Sequence, residues 1–179
     1  NRRLPNLGLD PLPDIDFNIR CGNTLVGYAS EDEVVQGSSA DLFTQAEFRQ
    51  KVELELEKVS MAYNHFRTQQ LADADDRVAF KEAKNELSLR LNTLTDMLDH
   101  QLFSASGRPD FDEWKASHQP FHWIAEYYQI IHGNGGFDVI IGNPPYVEYT
   151  AIKEYNIPIC KTFKCGNLYA NCSERSLLL

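Results

Sequence analysis

The sequence lacks any apolar run long enough to cross a lipid bilayer. Its 179 residues are 42% apolar, but none of its stretches approaches the roughly 20 apolar residues that a membrane-spanning helix needs. The first residues, NRRLPNLGLDPLPDIDF, also lack the apolar segment of a signal peptide. We therefore expect a soluble, cytoplasmic protein with no membrane partner, and with enough material for one globular core or for part of a larger one.

Paired cysteines and an excess of positive charge are also missing. The cysteines at 21, 160, 165 and 172 form no Cys-x-x-Cys pair, and no histidine stands at zinc-finger spacing near the last three. This spacing predicts free thiols and no metal site. The 17 basic residues are outnumbered by 26 acidic residues, which gives a net charge of −9. Because phosphate contacts need clustered Lys and Arg, any contact of this chain with nucleic acid should be local.

Two short apolar stretches predict β-strands. FNIRCG, Phe17 to Gly22, alternates apolar and polar side chains, after a proline-rich lead-in over residues 1–16. FDVII, Phe137 to Ile141, is apolar on both faces, which predicts a strand buried inside a sheet that helices cover. Gly142 then permits a close approach of another backbone.

Between the two predicted strands, the apolar residues follow the period of a helix. A first long helix is predicted from about Asp41 to about Leu71, and a second follows residues 72–76; their apolar stripes favour an antiparallel hairpin. The stripes are Val52, Leu56, Val59, Tyr63 and Phe66 in the first helix, and Phe80, Leu87, Leu91, Leu94, Leu98 and Leu102 in the second. Shorter helices are predicted around residues 110–118, 121–131 and 167–179, with Trp114, His122 and Trp123 packed where the hairpin rejoins the sheet.

The residues after FDVII carry the clearest chemical signal. Pro144 and Pro145 restrict the residues before them to extended conformations, which makes the loop rigid without secondary structure. The amide oxygen of Asn143 and the carbonyl of Pro144 are neighbouring acceptors that match the two hydrogens of an NH2 group. Tyr146 adds a flat face for stacking, which contributes about 1–3 kcal/mol for a nucleic-acid base. The alternative interpretation is a proline-stiffened turn with a buried tyrosine.

FDVIIGNPPYVEY resembles the catalytic motif of S-adenosylmethionine-dependent adenine-N6 DNA methyltransferases, in which Asp/Asn-Pro-Pro and an aromatic residue follow a strand. With PFHWIAEYYQII upstream, it is similar to bacterial Type IIG restriction-modification enzymes and related phage-defence methyltransferases. DFNIRCGNTLVG is similar to the segment in which an acidic or amide side chain, here Asn23, contacts the adenine of the cofactor. GNLYANCSERSLLL is similar to the helix after the catalytic loop, although Cys172 and Ser173 replace its apolar or aromatic pair.

The resemblance implies an α/β fold, with a partial Rossmann-like methyltransferase sheet, a large inserted helical hairpin and mostly helical residues. It divides the chain into a partial methyltransferase core with the cofactor-adenine strand and loop (residues 1–38), a helical insertion (39–132), and a truncated catalytic-loop part of the core (133–179). It implies that the full-length protein transfers a methyl group from S-adenosylmethionine to an adenine flipped out of double-stranded DNA. Catalysis would depend on Asn143, Pro144 and Tyr146; Pro145 would join them in binding the substrate, and Asn23 would bind the cofactor.

The glycine-rich cofactor loop of this family has no counterpart in the sequence. GNGG at residues 133–136 follows a predicted helix and precedes a predicted strand, so it is interpreted as a helix stop. We therefore expect residues 1–179 to be a fragment that neither binds S-adenosylmethionine tightly nor methylates DNA. Two alternatives stay open: methylation of a glutamine or another amide nitrogen, and a non-catalytic helical interaction module or inactive remnant.

Overall fold

A computed structural model describes residues 16–36, 42–71, 77–148 and 161–179. The α-helices in these ranges are α1 (Glu31–Gln36), α2 (Leu42–Leu71), α3 (Arg77–Ser104), α4 (Phe111–His118), α5 (Trp123–Glu126) and α6 (Leu168–Leu177). They are joined by a π-helical turn, Gln129–Gly133, and a 3-10 helix, Lys161–Cys165. Within the same ranges, no helix has the length and apolar character that a bilayer crossing requires. The predicted lead-in up to residue 15 and Cys160 lie outside the described residues.

The long helices α2 and α3 pack against each other along their apolar stripes, as the sequence predicts. The ring of Phe66 in α2 lies 5.4 Å from the ring of Phe80 in α3. The stripe residues Val52, Leu56, Val59, Phe66, Leu87, Leu91, Leu94 and Leu98 are buried, whereas Tyr63, Phe80 and Leu102 are partly buried against them. The predicted helical hairpin is confirmed, because the spacing of apolar residues alone determines which face of each helix leaves water.

The hairpin core continues into the segments on either side of it. Phe17, Tyr28 and Val34 from the N-terminal part belong to the same buried cluster, together with Ile124 and Ala125 of α5. The ring of Phe17 meets that of Phe66 edge to face, with 5.0 Å between centroids. The hairpin therefore shares one core with the residues that precede and follow it.

The predicted Rossmann-like sheet is wrong for the described residues, which contain no β-strand. Phe17–Gly22 and Phe137–Ile141 follow irregular paths, and only isolated bridges occur, between Asn23 and Pro120 and between Glu148 and Asn167. A strand persists only where a neighbour takes up its backbone N–H and C=O groups. Nothing in the described part of the chain lies beside either segment in that way.

The burial predicted for residues 139–141 is wrong as well. Val139, Ile140 and Ile141 are 71%, 40% and 92% exposed. No described atom uses the close approach that Gly142 permits, because a Cβ atom placed there would have no described atom within 4 Å. The apolar run therefore lies on the surface and does not end at a close backbone contact.

The helix predicted over residues 121–131 is divided in two. Helix α5 covers only Trp123–Glu126 before the chain passes into the π-helical turn. Beyond that turn, Gly136 has φ 127°, and a Cβ there would lie 2.3 Å from the carbonyl oxygen of Leu179. The adjacent Phe137 N–H donates to that same oxygen at 2.8 Å. Glycine at this position lets the start of segment 137–148 lie against the end of the chain.

Candidate functional site

A groove of about 660 Å³ lies between residues 140–145 and helix α6. Asn143, Pro144 and Pro145 line it, and so does Tyr169 of α6. Thr24 and Trp123 complete its wall from other parts of the chain. The volume falls in the range of small-molecule sites, which is about 300–1,000 Å³. The structure thus brings the predicted acceptors to a surface groove large enough for a nucleoside.

Both predicted acceptors are open in this groove. The Asn143 side chain is exposed, Pro144 is half-buried, and neither the Asn143 amide oxygen nor the Pro144 carbonyl oxygen accepts a hydrogen bond from a described residue. Tyr146 is 79% exposed. The alternative interpretation expected a buried tyrosine, and this burial is wrong for Tyr146.

Tyr146 lies next to a second aromatic ring, that of Tyr169, which does not belong to the Asn-Pro-Pro-Tyr motif. The rings of Tyr146 and Tyr169 are parallel to within 12°, with centroids 6.0 Å apart. Just beyond Tyr146, the Val147 carbonyl accepts from the Leu168 N–H at 3.0 Å. The available signal for Tyr169 was the Asn-Leu-Tyr part of GNLYANCSERSLLL, although its spacing predicts a helix without indicating what the tyrosine would contact.

Helix α6 begins as predicted and is anchored by a buried ion pair. The Asn167 side chain caps the helix by accepting from the Tyr169 N–H at 3.0 Å. Arg175 is the eighth residue of α6. Its Nη1 lies 2.7 Å from each carboxylate oxygen of Glu33 in α1, and its Nη2 donates to the Gly27 carbonyl at 3.3 Å. Glu33 and Arg175 are far apart in sequence, so no local pattern could have predicted this pair.

Asn23, the predicted cofactor contact, lies beside the groove and does not line it. Its amide oxygen accepts from the Leu25 N–H at 3.2 Å, and its own N–H donates to the Gln119 carbonyl at 2.7 Å. The next residue, Thr24, reaches the groove, and its carbonyl accepts from the Trp123 indole N–H at 3.2 Å. The structure therefore places the turn at Asn23 at the edge of the groove that Asn143 lines.

His122 is fully buried and fully hydrogen-bonded. Its Nδ1 accepts from the Tyr28 backbone N–H at 3.2 Å, so the ring proton lies on Nε2, 2.9 Å from the Asp99 carboxylate. The other Asp99 oxygen lies 2.8 Å from Lys115 Nζ. Burial lowers the pKa of Lys115, but its hydrogen bonds to Asp96 and Asp99 outweigh burial and raise that pKa overall. His122 therefore joins α3 to the N-terminal segment, and Asp99 in turn joins α3 to α4 through Lys115.

Trp114 and Trp123 were both predicted to have packing roles, but Trp123 also lines the groove. Trp114 is buried, as expected, against the rings of Phe103 and Phe111. Trp123 packs edge to face on Phe121, with centroids 4.9 Å apart, but it also lines the groove. The described residues contain no cluster of His, Cys, Asp and Glu that could hold a metal ion.

Comparison with known proteins places the chain in a family. The profile of the Eco57I restriction-modification methylase matches residues 23–177. The chain belongs to the Eco57I restriction-modification methylase family. This confirms the resemblance to restriction-modification methyltransferases. The match includes residues 140–145 and Tyr169, which line the groove.

A relative supports the same assignment. A protein of Methanocaldococcus jannaschii is named as a type II restriction enzyme and methyltransferase. It is 26% identical to this chain over an alignment 180 residues long, and that alignment covers 75% of this chain. The chain spans about 15% of the length of that relative. No solved structure matches the chain.

Proposed function

We propose that the protein is an S-adenosylmethionine-dependent adenine-N6 DNA methyltransferase in which residues 1–179 supply the loop that binds the target amine. The observation that carries the proposal is the pair of open acceptors, Asn143 Oδ1 and the Pro144 carbonyl, in one groove beside the exposed Tyr146 ring. Membership of the Eco57I restriction-modification methylase family supports methyl transfer as the reaction.

The acceptors give the loop its chemical role. The target adenine leaves the duplex, because pairing and stacking shield its N6 nitrogen. Asn143 Oδ1 and the Pro144 oxygen each accept one N6 hydrogen, which increases electron density on nitrogen and orients its lone pair away from the loop. Tyr146 stacks on the ring and fixes its plane. Positioning and fixed dipoles supply most of the effect, which agrees with the absence of His, Asp and Glu from GNPPY.

The turn at Asn23 fits one end of the cofactor. The side-chain NH2 of Asn23 makes no hydrogen bond to another described residue. It is therefore available to donate to a ring nitrogen of the cofactor's adenine. S-adenosylmethionine, when bound, supplies an electrophilic methyl group. Because the sequence contains no glycine-rich turn after a strand, we assign the rest of the cofactor to residues outside this chain.

We retain the three-part division of the chain within this proposal. Residues 39–132 would be an insertion between two pieces of a catalytic core, residues 1–38 and 133–179. The net charge of −9 makes this chain a poor DNA clamp. Double-stranded DNA would therefore be gripped mainly by basic surface elsewhere in the full-length protein.

The test compares substitutions at Asn143 in the full-length protein. Asn143→Ala removes one acceptor and should lower the rate of labelled methyl transfer from S-adenosylmethionine to DNA by about 100-fold or more, in line with the loss of other preorganised polar groups. Asn143→Asp keeps an acceptor oxygen and should retain more activity than the alanine variant. DNA affinity, measured separately, should be nearly the same in all three proteins. An alanine variant with the wild-type transfer rate would rule out this role for Asn143.

A further inference from the structure

Arg175 is a buried cation in the wall of the groove, and the amine-binding chemistry proposed above does not use it. It lies in α6, it lines the groove, and its side chain is only 2% exposed. Its Nη1 contacts both carboxylate oxygens of Glu33, while its Nη2 donates to the carbonyl of Gly27 at 3.3 Å. One guanidinium therefore ties α6 both to α1 and to residues 23–27, the turn that begins at Asn23.

The turn at residues 23–27 is held on another side by the segment that leads into α5. The Asn23 N–H donates to the Gln119 carbonyl at 2.7 Å, and the Val26 carbonyl accepts from the Phe121 N–H at 2.6 Å. These backbone hydrogen bonds maintain the shape of the turn without involving α6. The contact with Arg175 adds something different, because it sets where the turn lies relative to α6.

Helix α6 is joined in its first turn to the segment that follows the proposed amine-binding loop. The Leu168 N–H donates to the Val147 carbonyl at 3.0 Å. Arg175 belongs to the same helix, about two turns farther along. A continuous series of contacts thus leads from the turn that carries Asn23, through Arg175 and α6, to the segment that carries Asn143.

The proposed reaction depends on the distance between these two segments. In that proposal, Asn23 contacts the cofactor and Asn143 holds the target amine. Transfer between two bound groups requires the reacting atoms to lie about 3–3.5 Å apart and in line, and a displacement of about 1 Å can slow a reaction about 100-fold. A side chain that fixes one segment against the other therefore affects the rate without touching the reacting atoms.

We propose that Arg175 is a positioning residue for methyl transfer. By binding Glu33 and the Gly27 carbonyl together, it fixes the turn at residues 23–27 against α6, and thereby the cofactor against the target amine. This role rests on the proposed function. Arginine suits it because the planar guanidinium donates in several fixed directions at once, whereas the ammonium of a lysine is a compact point charge on a flexible stem.

The first test is Arg175→Lys in the full-length protein. Lysine keeps a positive charge opposite Glu33, but it does not reproduce the planar contact with both Glu33 and Gly27. The affinity for S-adenosylmethionine, measured by calorimetry without DNA, should fall about fivefold, the factor that corresponds to one hydrogen bond. The single-turnover rate of methyl transfer at saturating S-adenosylmethionine and DNA should fall by about tenfold or more. DNA affinity should not change.

Coupling to Asn23 distinguishes positioning from a general effect on folding. In an Asn23→Ala background, Arg175→Lys should not weaken S-adenosylmethionine binding further, because the contact that Arg175 positions is already lost. Hydrogen exchange at the Asn23 and Phe121 amides should keep its wild-type rate in Arg175→Lys, since their acceptors are unchanged. Glu33→Asp shortens the carboxylate by one methylene and should reproduce both losses. The control is Arg49→Lys, in an exposed ion pair on α2, which should change none of these values.

Three results would overturn the proposal. They are wild-type affinity and rate in Arg175→Lys, an equal loss of affinity with and without Asn23→Ala, and faster hydrogen exchange at the Asn23 amide. Absence of S-adenosylmethionine binding by the wild type would overturn both this role and the proposed function. Because cofactor affinity and hydrogen exchange do not depend on which base is methylated, the role of Arg175 and the role of Asn143 can otherwise fail separately.

Discussion

At the residue scale, the Glu33–Arg175 pair places opposite charges in a largely buried environment. Both side chains are buried, and Glu33 also accepts from the Ala29 N–H at 2.7 Å. A buried ion pair adds little net stability, because desolvation offsets attraction, but removing one partner leaves an uncompensated charge. Burial, and then the nearby Glu33 carboxylate, raise the pKa of the Tyr28 phenol, which reflects the same dry environment.

We expect Glu33→Gln to lower the free energy of unfolding by about 3–5 kcal/mol, because it leaves the Arg175 guanidinium buried without a counter-charge. The control is Glu53→Gln, which removes the exposed partner of Arg49 on α2 and should cost about 1 kcal/mol or less. Urea denaturation of the two variants measures both values. Equal losses in the two variants would contradict the account of a buried, paired charge.

Individual site residues differ in how far sequence could predict them. Asn143, Pro144 and Tyr146 belong to a short contiguous motif, and the structure leaves their acceptors and ring open. Tyr169 contacts Tyr146, and Arg175 contacts Glu33. In both pairs the partner is distant in sequence. Such pairs depend on how segments meet in three dimensions, so composition and spacing do not encode them.

At the element scale, helices were predictable and strands were not. The stripe from Val52 to Phe66 places its apolar residues on one face of α2 whatever lies elsewhere in the protein. The run Val139–Ile141 has no such independence, because apolar residues become a buried strand only when a neighbouring strand and covering helices are present. The α5 segment shows a related failure: its apolar spacing continues beyond Glu126, but the backbone changes to a π-helical turn.

A carboxylate joins the 3-10 helix to α6. Glu174 accepts from the Lys161 N–H at 2.8 Å, from the Thr162 N–H at 2.7 Å and from the Thr162 hydroxyl at 2.6 Å. The hydrogen bond from the Thr162 side chain, followed by the backbone hydrogen bonds, lowers the pKa of Glu174 from 4.5 despite the opposing effect of desolvation. The ionised form is therefore the one that holds the 3-10 helix.

We predict a pH dependence of defined sign for this attachment. Because the folded-state pKa lies below 4.5, the stabilisation is fully present above the unfolded-state pKa and is lost as pH falls through the folded-state pKa. The NMR shift of the Thr162 amide proton should report this titration, with a midpoint below 4.5. Glu174→Gln should abolish the titration and increase hydrogen exchange at Thr162. A midpoint at or above the ordinary glutamate value would show that these hydrogen bonds do not stabilise the carboxylate.

At the scale of the whole molecule, this chain combines a groove lined by Asn143 and Pro144 with a helical hairpin, α2 and α3. The groove residues lie at both ends of the sequence, Thr24 near the beginning and Tyr169 near the end, and the hairpin occupies the middle without lining the groove. Sequence could predict the hairpin, and it could single out Asn143 and Pro144 as neighbouring acceptors. It could not predict the junction of segment 140–148 with α6, which forms the groove.

The central claim is that the groove presents an adenine amine for methylation, and the identity of the methylated product tests it most directly. Unmethylated DNA is incubated with the full-length protein and labelled S-adenosylmethionine, with the Asn143→Ala variant in parallel. The DNA is then digested to nucleosides for mass spectrometry. The account predicts N6-methyl-2′-deoxyadenosine as the labelled nucleoside with the wild type and its loss with the variant. Label on cytosine, label on a protein amide, or no transfer by the wild type would contradict the account.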